Sequence, residues 1–187
     1  MASPTAQASL SPQLAELRRQ FEACTEHARK MFAAYDEARL KKGPPAGGWS
    51  PAECVQHLKL TTEQYAPIFA EAFTRAKPGG EPYKMDFKGK FLKWIMEPPY
   101  RQRVQTRPGF IPENLGSAQQ VLADFEASQQ AIYAHLERAN GLALNQTLVE
   151  SPFRKGFFYN MFSLFHILAA HQRRHLWQAE QALKQTS

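Results

Sequence analysis

The stretch Trp49-Ser50-Pro51-Ala52-Glu53-Cys54-Val55-Gln56-His57-Leu58 decides how the rest of the chain is read. Ser50 is placed to accept from the backbone amides of a first helical turn. Pro51 stands at the first helical position, where its missing amide costs nothing. Glu53, three residues after the cap, reaches back to the Ser50 amide. This capping box predicts a helix over 50–76, carried by the stripe Cys54, Leu58, Thr61, Tyr65, Ile68 and Ala72. Pro67 predicts a kink within it and not its end.

Working outward, the same helical spacing recurs three times. Leu14, Leu17, Phe21, Cys24, Ala28, Met31 and Tyr35 predict a helix over 11–41, closed by Gly43-Pro44-Pro45 and Gly47-Gly48. Val121, Phe125, Ser128, Ile132 and Leu136 predict another over 117–139. Met161, Phe165, Leu168, His171 or Gln172, His175, Ala179 and Ala182 predict the last, over 158–184. Strand-like alternation, internal repeats and low-complexity tracts are absent. The expected fold is all-α: an up-and-down four-helix bundle forming one domain over 1–187. Residues 77–115 form a long irregular insertion between the second and third helices, with a short helix expected over 87–96.

Composition narrows the class of protein. A chain of 187 residues, 43% hydrophobic and 21% charged, has the make-up of one globular domain able to bury a core without staples. No apolar run is long enough to span a bilayer, so no membrane partner is expected. The first residues have neither a basic patch nor an apolar run, which predicts a cytoplasmic protein. Cys24 and Cys54 fit reduced core positions in two helices. The formal charge is +6, and residues 84–107, with seven bases against two acids, carry +5 of it. No zinc-finger spacing, RNA-recognition signature or basic zipper accompanies that charge, so a nucleic-acid partner is disfavoured. A phosphate-cradling glycine loop and a Gly-x-Ser-x-Gly elbow are also missing.

Chemistry enters where polar residues interrupt the apolar stripes. His171 and His175 are four residues apart on the core face of the last helix, one turn above the other. Two buried imidazoles need partners, and a divalent metal satisfies both. His57 borders the core stripe of the second helix and supplies a third ligand. Three histidines with one position left open is the arrangement of a catalytic metal, not a structural one. His166 lies half a turn from His175 and is expected at the surface or behind the ligands. His27 and His135 sit just off their stripes and are expected to be partly exposed. Glu53 has two readings, the cap and a hydrogen-bond partner for His57. Gln178 lies on the face of His171, and Arg173 and Arg174 point elsewhere, as a solvated or interface pair.

The run Trp49 to Leu58 resembles the second-helix signature of the DinB/YfiT-like superfamily. The run His166-Ile-Leu-Ala-Ala-His171-Gln-Arg-Arg-His175-Leu-Trp-Gln178 resembles its C-terminal His-x-x-x-His helix. The resemblance implies an up-and-down four-helix bundle with one divalent ion, zinc or nickel, on His57, His171 and His175. It also implies a metal-dependent hydrolase or a thiol-S-transferase acting on a small molecule, either anionic or a low-molecular-weight thiol. The other reading is a metal-binding or stress-response interaction protein without turnover. The aromatic residues Phe157, Phe158, Phe162, Phe165 and Trp177 surround the last helix, which predicts a homodimer or cover by the insertion. The insertion itself is expected either to fold back as a basic lid, with Arg101, Arg103 and Arg107 drawing anions, or only to patch a groove.

Overall fold

A computed structural model describes residues 9–99 and 106–186 of the protein. Arg101 and Arg103 lie outside the described residues. The chain is mostly helical. Helix α1 (Pro12–Ala34) is followed by the short α2 (Glu37–Leu40). The 11–41 helix is therefore broken. Tyr35 is extended, and Asp36 caps a new start by accepting from the Arg39 amide at 2.8 Å. Helix α3 (Pro51–Arg75) begins at the predicted capping box, with both halves formed. The Ser50 amide donates to Glu53 at 2.7 Å, and the Glu53 amide donates to the Ser50 hydroxyl at 3.3 Å. Pro67 lies inside α3 without ending it.

Helix α4 (Phe87–Met96) lies in the insertion, and α5 (Ala118–Ala139) and α6 (Met161–Gln185) complete the long helices. Strands β1 (Leu148–Glu150) and β2 (Phe158–Asn160) form an antiparallel pair with Val149 opposite Tyr159. This corrects the expectation of a chain without strands and moves the start of the last helix from 158 to 161. Strands of three residues are too short to show alternation. The pair folds Val149 and Tyr159 into the core, and Asn160 then caps α6 by accepting from the Ser163 amide at 2.8 Å.

The main partners of α1 are α5 and α6, and the main partners of α3 are the same two helices. In an up-and-down bundle consecutive helices are neighbours. Here α1 and α3 both pack across the connections onto the C-terminal pair, which long links on either side of α3 permit. The α3–α6 contact brings His57 to the histidines of α6. Cys24 and Cys54 are buried free thiols, as expected. Burial pushes both thiols up, Cys24 to about 11, so neither is a thiolate at neutral pH.

The insertion packs along α6. Asp86 caps α4 by accepting from the Gly89 amide at 2.9 Å, and the Ser163 hydroxyl donates to the same carboxylate at 2.8 Å. Tyr83 stacks near Phe162 at 5.3 Å between centroids. Phe162 and Phe165 are buried, and Lys88 lies over Phe157 at 5.1 Å. The chain itself thus covers most of the aromatic residues that raised the expectation of a second subunit.

Gly89 faces α6 so closely that a Cβ there would overlap Ser163 and the Asp86 carboxylate. Helix propensity alone favours Gly89→Ala by about 1 kcal/mol. The overlap reverses the sign: the variant is expected to be destabilised by about 1–3 kcal/mol in urea denaturation. A stabilised variant would contradict this seating of α4.

Candidate metal centre

His57 comes from the second turn of α3, and His171 and His175 from the middle of α6. All three are buried. Each offers a ring nitrogen, and these atoms lie within 4.8 Å of one another. The ring centroids are 5.0 Å apart for His57 and His171, 4.3 Å for His57 and His175, and 4.5 Å for His171 and His175. Trp49 lies over His57 at 4.7 Å and near His175 at 5.8 Å, closing one side. The capping box holds this tryptophan immediately before α3.

The tautomer of His57 follows from its partner. Its Nδ1 stands 2.6 Å from the Phe110 carbonyl, which only accepts, so Nδ1 carries the proton. The His57 Nε2 lone pair then points to the His171 Nε2, 3.2 Å away. Without an ion, His171 must donate across this gap, which leaves its buried Nδ1 an acceptor without a partner. The Nδ1 atoms of His171 and His175 do lack hydrogen-bond partners among the described residues. Three neutral imidazoles turned on one point could hold a divalent metal ion, and a carbonyl behind one of them is the usual way to orient such a ligand.

Burial keeps these rings neutral. His57 is pushed down to about 4 by burial, against the opposing bond to Phe110. Burial lowers His171 and His175 well below the usual histidine range, with the neighbouring rings and Arg174 adding to the effect. The lone pairs are therefore available at neutral pH without loss of a proton.

The centre opens into a cavity of about 1230 Å³. Its walls include Thr61, Tyr65 and Tyr159, the aromatic side chains of Phe91, Phe153, Phe157 and Trp177, and the α4 residues Leu92, Ile95 and Met96. No carboxylate lines it among the described residues. The insertion therefore folds back to the centre, as the lid reading requires, although Arg107 itself is exposed and donates to the Pro152 carbonyl at 3.3 Å.

Several expectations change. Glu53 is occupied by the Ser50 amide and does not touch His57; the Phe110 carbonyl, from the insertion, takes that role. No side-chain pattern signals a backbone carbonyl, so the sequence held no clue to it. Arg174 does not point into solvent. It is buried, lines the cavity and donates to the Ile95 carbonyl at 2.9 Å. Its position three residues after His171 was the available signal. Arg173 instead pairs with Glu97, at 3.0 Å from Nε. Gln178 lines the cavity and bonds to His175. His166 stays outside the cluster, half-buried against the edge of Phe162 at 4.7 Å. His27 pairs with Glu180 at 2.8 Å and His135 stacks on Phe69 at 4.3 Å, both partly exposed.

A helical protein with a buried three-histidine cluster at the α3–α6 contact, close enough to hold a metal ion, is the class that fold and site define. The chain belongs to the DinB superfamily, whose family model matches residues 20–179. No curated protein and no solved structure matches the chain.

The neutral rings give the metal-free protein a pH dependence. An unfolded histidine titrates near 6.5, whereas folded His57 titrates near 4. Between these values the unfolded chain binds more protons, so stability falls as the pH drops. His57 alone is expected to cost roughly 3 kcal/mol across that window. Urea unfolding of metal-free protein at a series of pH values reads this directly, and a flat profile from pH 7 to 4 would contradict the neutral cluster.

Proposed function

We propose that the protein is a metal-dependent enzyme using one divalent ion, zinc or nickel, on His57, His171 and His175. In this reading α1, α3, α5 and α6 form the four-helix bundle that carries it. The observation that supports it most is the convergence of three neutral ring nitrogens at the wall of a large cavity. Bound there, the ion would act as a Lewis acid and make a thiol or a water a better nucleophile at neutral pH.

The surrounding residues favour one of the two reactions. Three neutral ligands leave the ion's charge uncompensated, and Arg174 adds another positive charge beside the cluster. The missing negative charge has to arrive with the substrate, as an anion or a thiolate. Hydrolysis is assisted by a general base, most often a histidine or a carboxylate, and with the three cavity histidines taken up as ligands a carboxylate is the remaining candidate. Among the described residues none lines the cavity. A thiol is acidic enough to do without one, so thiol-S-transfer is the reading we favour over hydrolysis.

Tyr65 and Tyr159 face the cavity with their hydroxyls 3.4 Å apart. Burial pushes Tyr65 well up and Tyr159 to about 12, so both stay protonated; one hydroxyl donates to the other, and the second proton is left to donate to a substrate. The aromatic walls exclude water and fit the apolar body of a co-substrate. Cytoplasmic location and a single domain belong to the same proposal.

Metal content tests the centre. His175→Ala is expected to lower bound zinc or nickel by about tenfold or more, as loss of a direct ligand should. His166→Ala is expected to leave metal content unchanged, because its ring lies outside the cluster. Untagged protein of both variants, measured by elemental analysis, decides the matter; full metal content in His175→Ala removes the site. A second measurement addresses the reaction: a low-molecular-weight thiol is expected to perturb the spectrum of cobalt-loaded protein, and an unchanged spectrum would count against the S-transfer reading.

A further inference from the structure

Helix α4 turns its aromatic side outward. Gly89 faces α6, and at 100° per residue Phe87, Phe91 and Trp94 fall within about 60° of one another on the opposite side. They are 83%, 51% and 54% exposed, high values for side chains of this size. Phe91 and Trp94 lie nearly parallel, at 6.2 Å between centroids. Lys90 flanks the ridge on one side and Lys88, whose ammonium also lies over Phe157, on the other, and Lys84 stands just before the helix; all three are exposed.

The local charge is one-sided. The acids of this segment are Asp86 and Glu97, and both are turned to α6. Asp86 is bound to Gly89 and Ser163, and Glu97 to Arg173. The outward face therefore combines three aromatic rings with ammonium groups and no carboxylate of its own segment. A second copy docked through this same face would bring these lysines against one another.

We propose that α4 seats the protein on an anionic lipid bilayer. Phe87, Phe91 and Trp94 enter the interfacial layer, and Lys84, Lys88 and Lys90 meet the phosphate headgroups. Among the described residues no helix is long and apolar enough to cross a membrane. The expectation of no membrane partner rested on that alone, and a helix lying in the interface needs no such length. Phe91, at the edge of the ridge nearest the centre, also lines the cavity, together with Leu92, Ile95 and Met96. Docking thus sets the lipid surface against the wall of the metal centre, whether or not the centre holds an ion.

Sedimentation of the full chain with vesicles tests the proposal independently of metal content. Binding to phosphatidylcholine–phosphatidylglycerol vesicles is expected at low salt. It should weaken with added salt and be at least about tenfold weaker on phosphatidylcholine alone. Replacing Lys84, Lys88 and Lys90 by Glu is expected to cost about tenfold or more in affinity for the mixed vesicles. Phe87→Ser should reduce binding several-fold with the circular dichroism and melting temperature unchanged, since the ring touches little of the fold. Absence of binding to the anionic vesicles, or equal binding by the charge-reversed chain, overturns the proposal. So does a Phe87→Ser variant that changes the mass in light scattering while vesicle binding is unaltered, because the ridge would then be a subunit interface.

Discussion

Seventeen of the 25 residues of α6 are buried, more than a single apolar stripe could account for. A helix enclosed in this way needs cover on every side. Helices α1 and α3 supply two of those sides, and α4, from the insertion, supplies a third. The polar groups that this enclosure buries cannot reach water and must find partners within the protein. Gln172 exchanges amide bonds with Gln129 of α5, at 2.6 and 3.1 Å. Arg174 bonds to a carbonyl of α4. Among the described residues, His171 and His175 meet one another, His57, Gln178 and the cavity.

The candidate metal centre is thus a product of enclosure. An exposed pair of histidines one turn apart would be solvated and protonated on a mildly acidic surface. Here burial removes the protons and leaves lone pairs. The third ring is oriented from outside the four long helices, by a carbonyl of the segment that follows α4. The insertion therefore shapes the candidate site at the backbone level, whatever its charged side chains do. It covers α6, closes the cavity and determines which nitrogen of His57 carries the proton. Membership of the DinB superfamily agrees with the two motif helices.

Much of this was legible in the sequence. The capping box of residues 50–53 marked the start of α3 to the residue, since the chemistry of a helix N-terminus is local. The spacing of apolar residues identified the four long helices, and it placed His57, His171 and His175 on or beside inward faces. The break at Tyr35 and the three-residue strands were not legible. A single extended residue and a six-residue sheet leave no period to read. Arg174 was misplaced because its neighbours on the helix wheel are ambiguous between the core edge and solvent.

Local chemistry determined where the helices begin and which histidines face inward, because caps and periodicity depend only on residues a few positions apart. The tertiary structure alone decided the rest. It decided that α1 and α3 both pack on α5 and α6, since that depends on which long links the chain can close. It decided that the Phe110 carbonyl, and not Glu53, holds His57, since a backbone carbonyl is the same at every residue. It also decided which side of α4 faces the protein. Hydrophobicity would have buried Phe87, Phe91 and Trp94, but the close approach to Ser163 admits only Gly89, and the aromatic side is left on the surface.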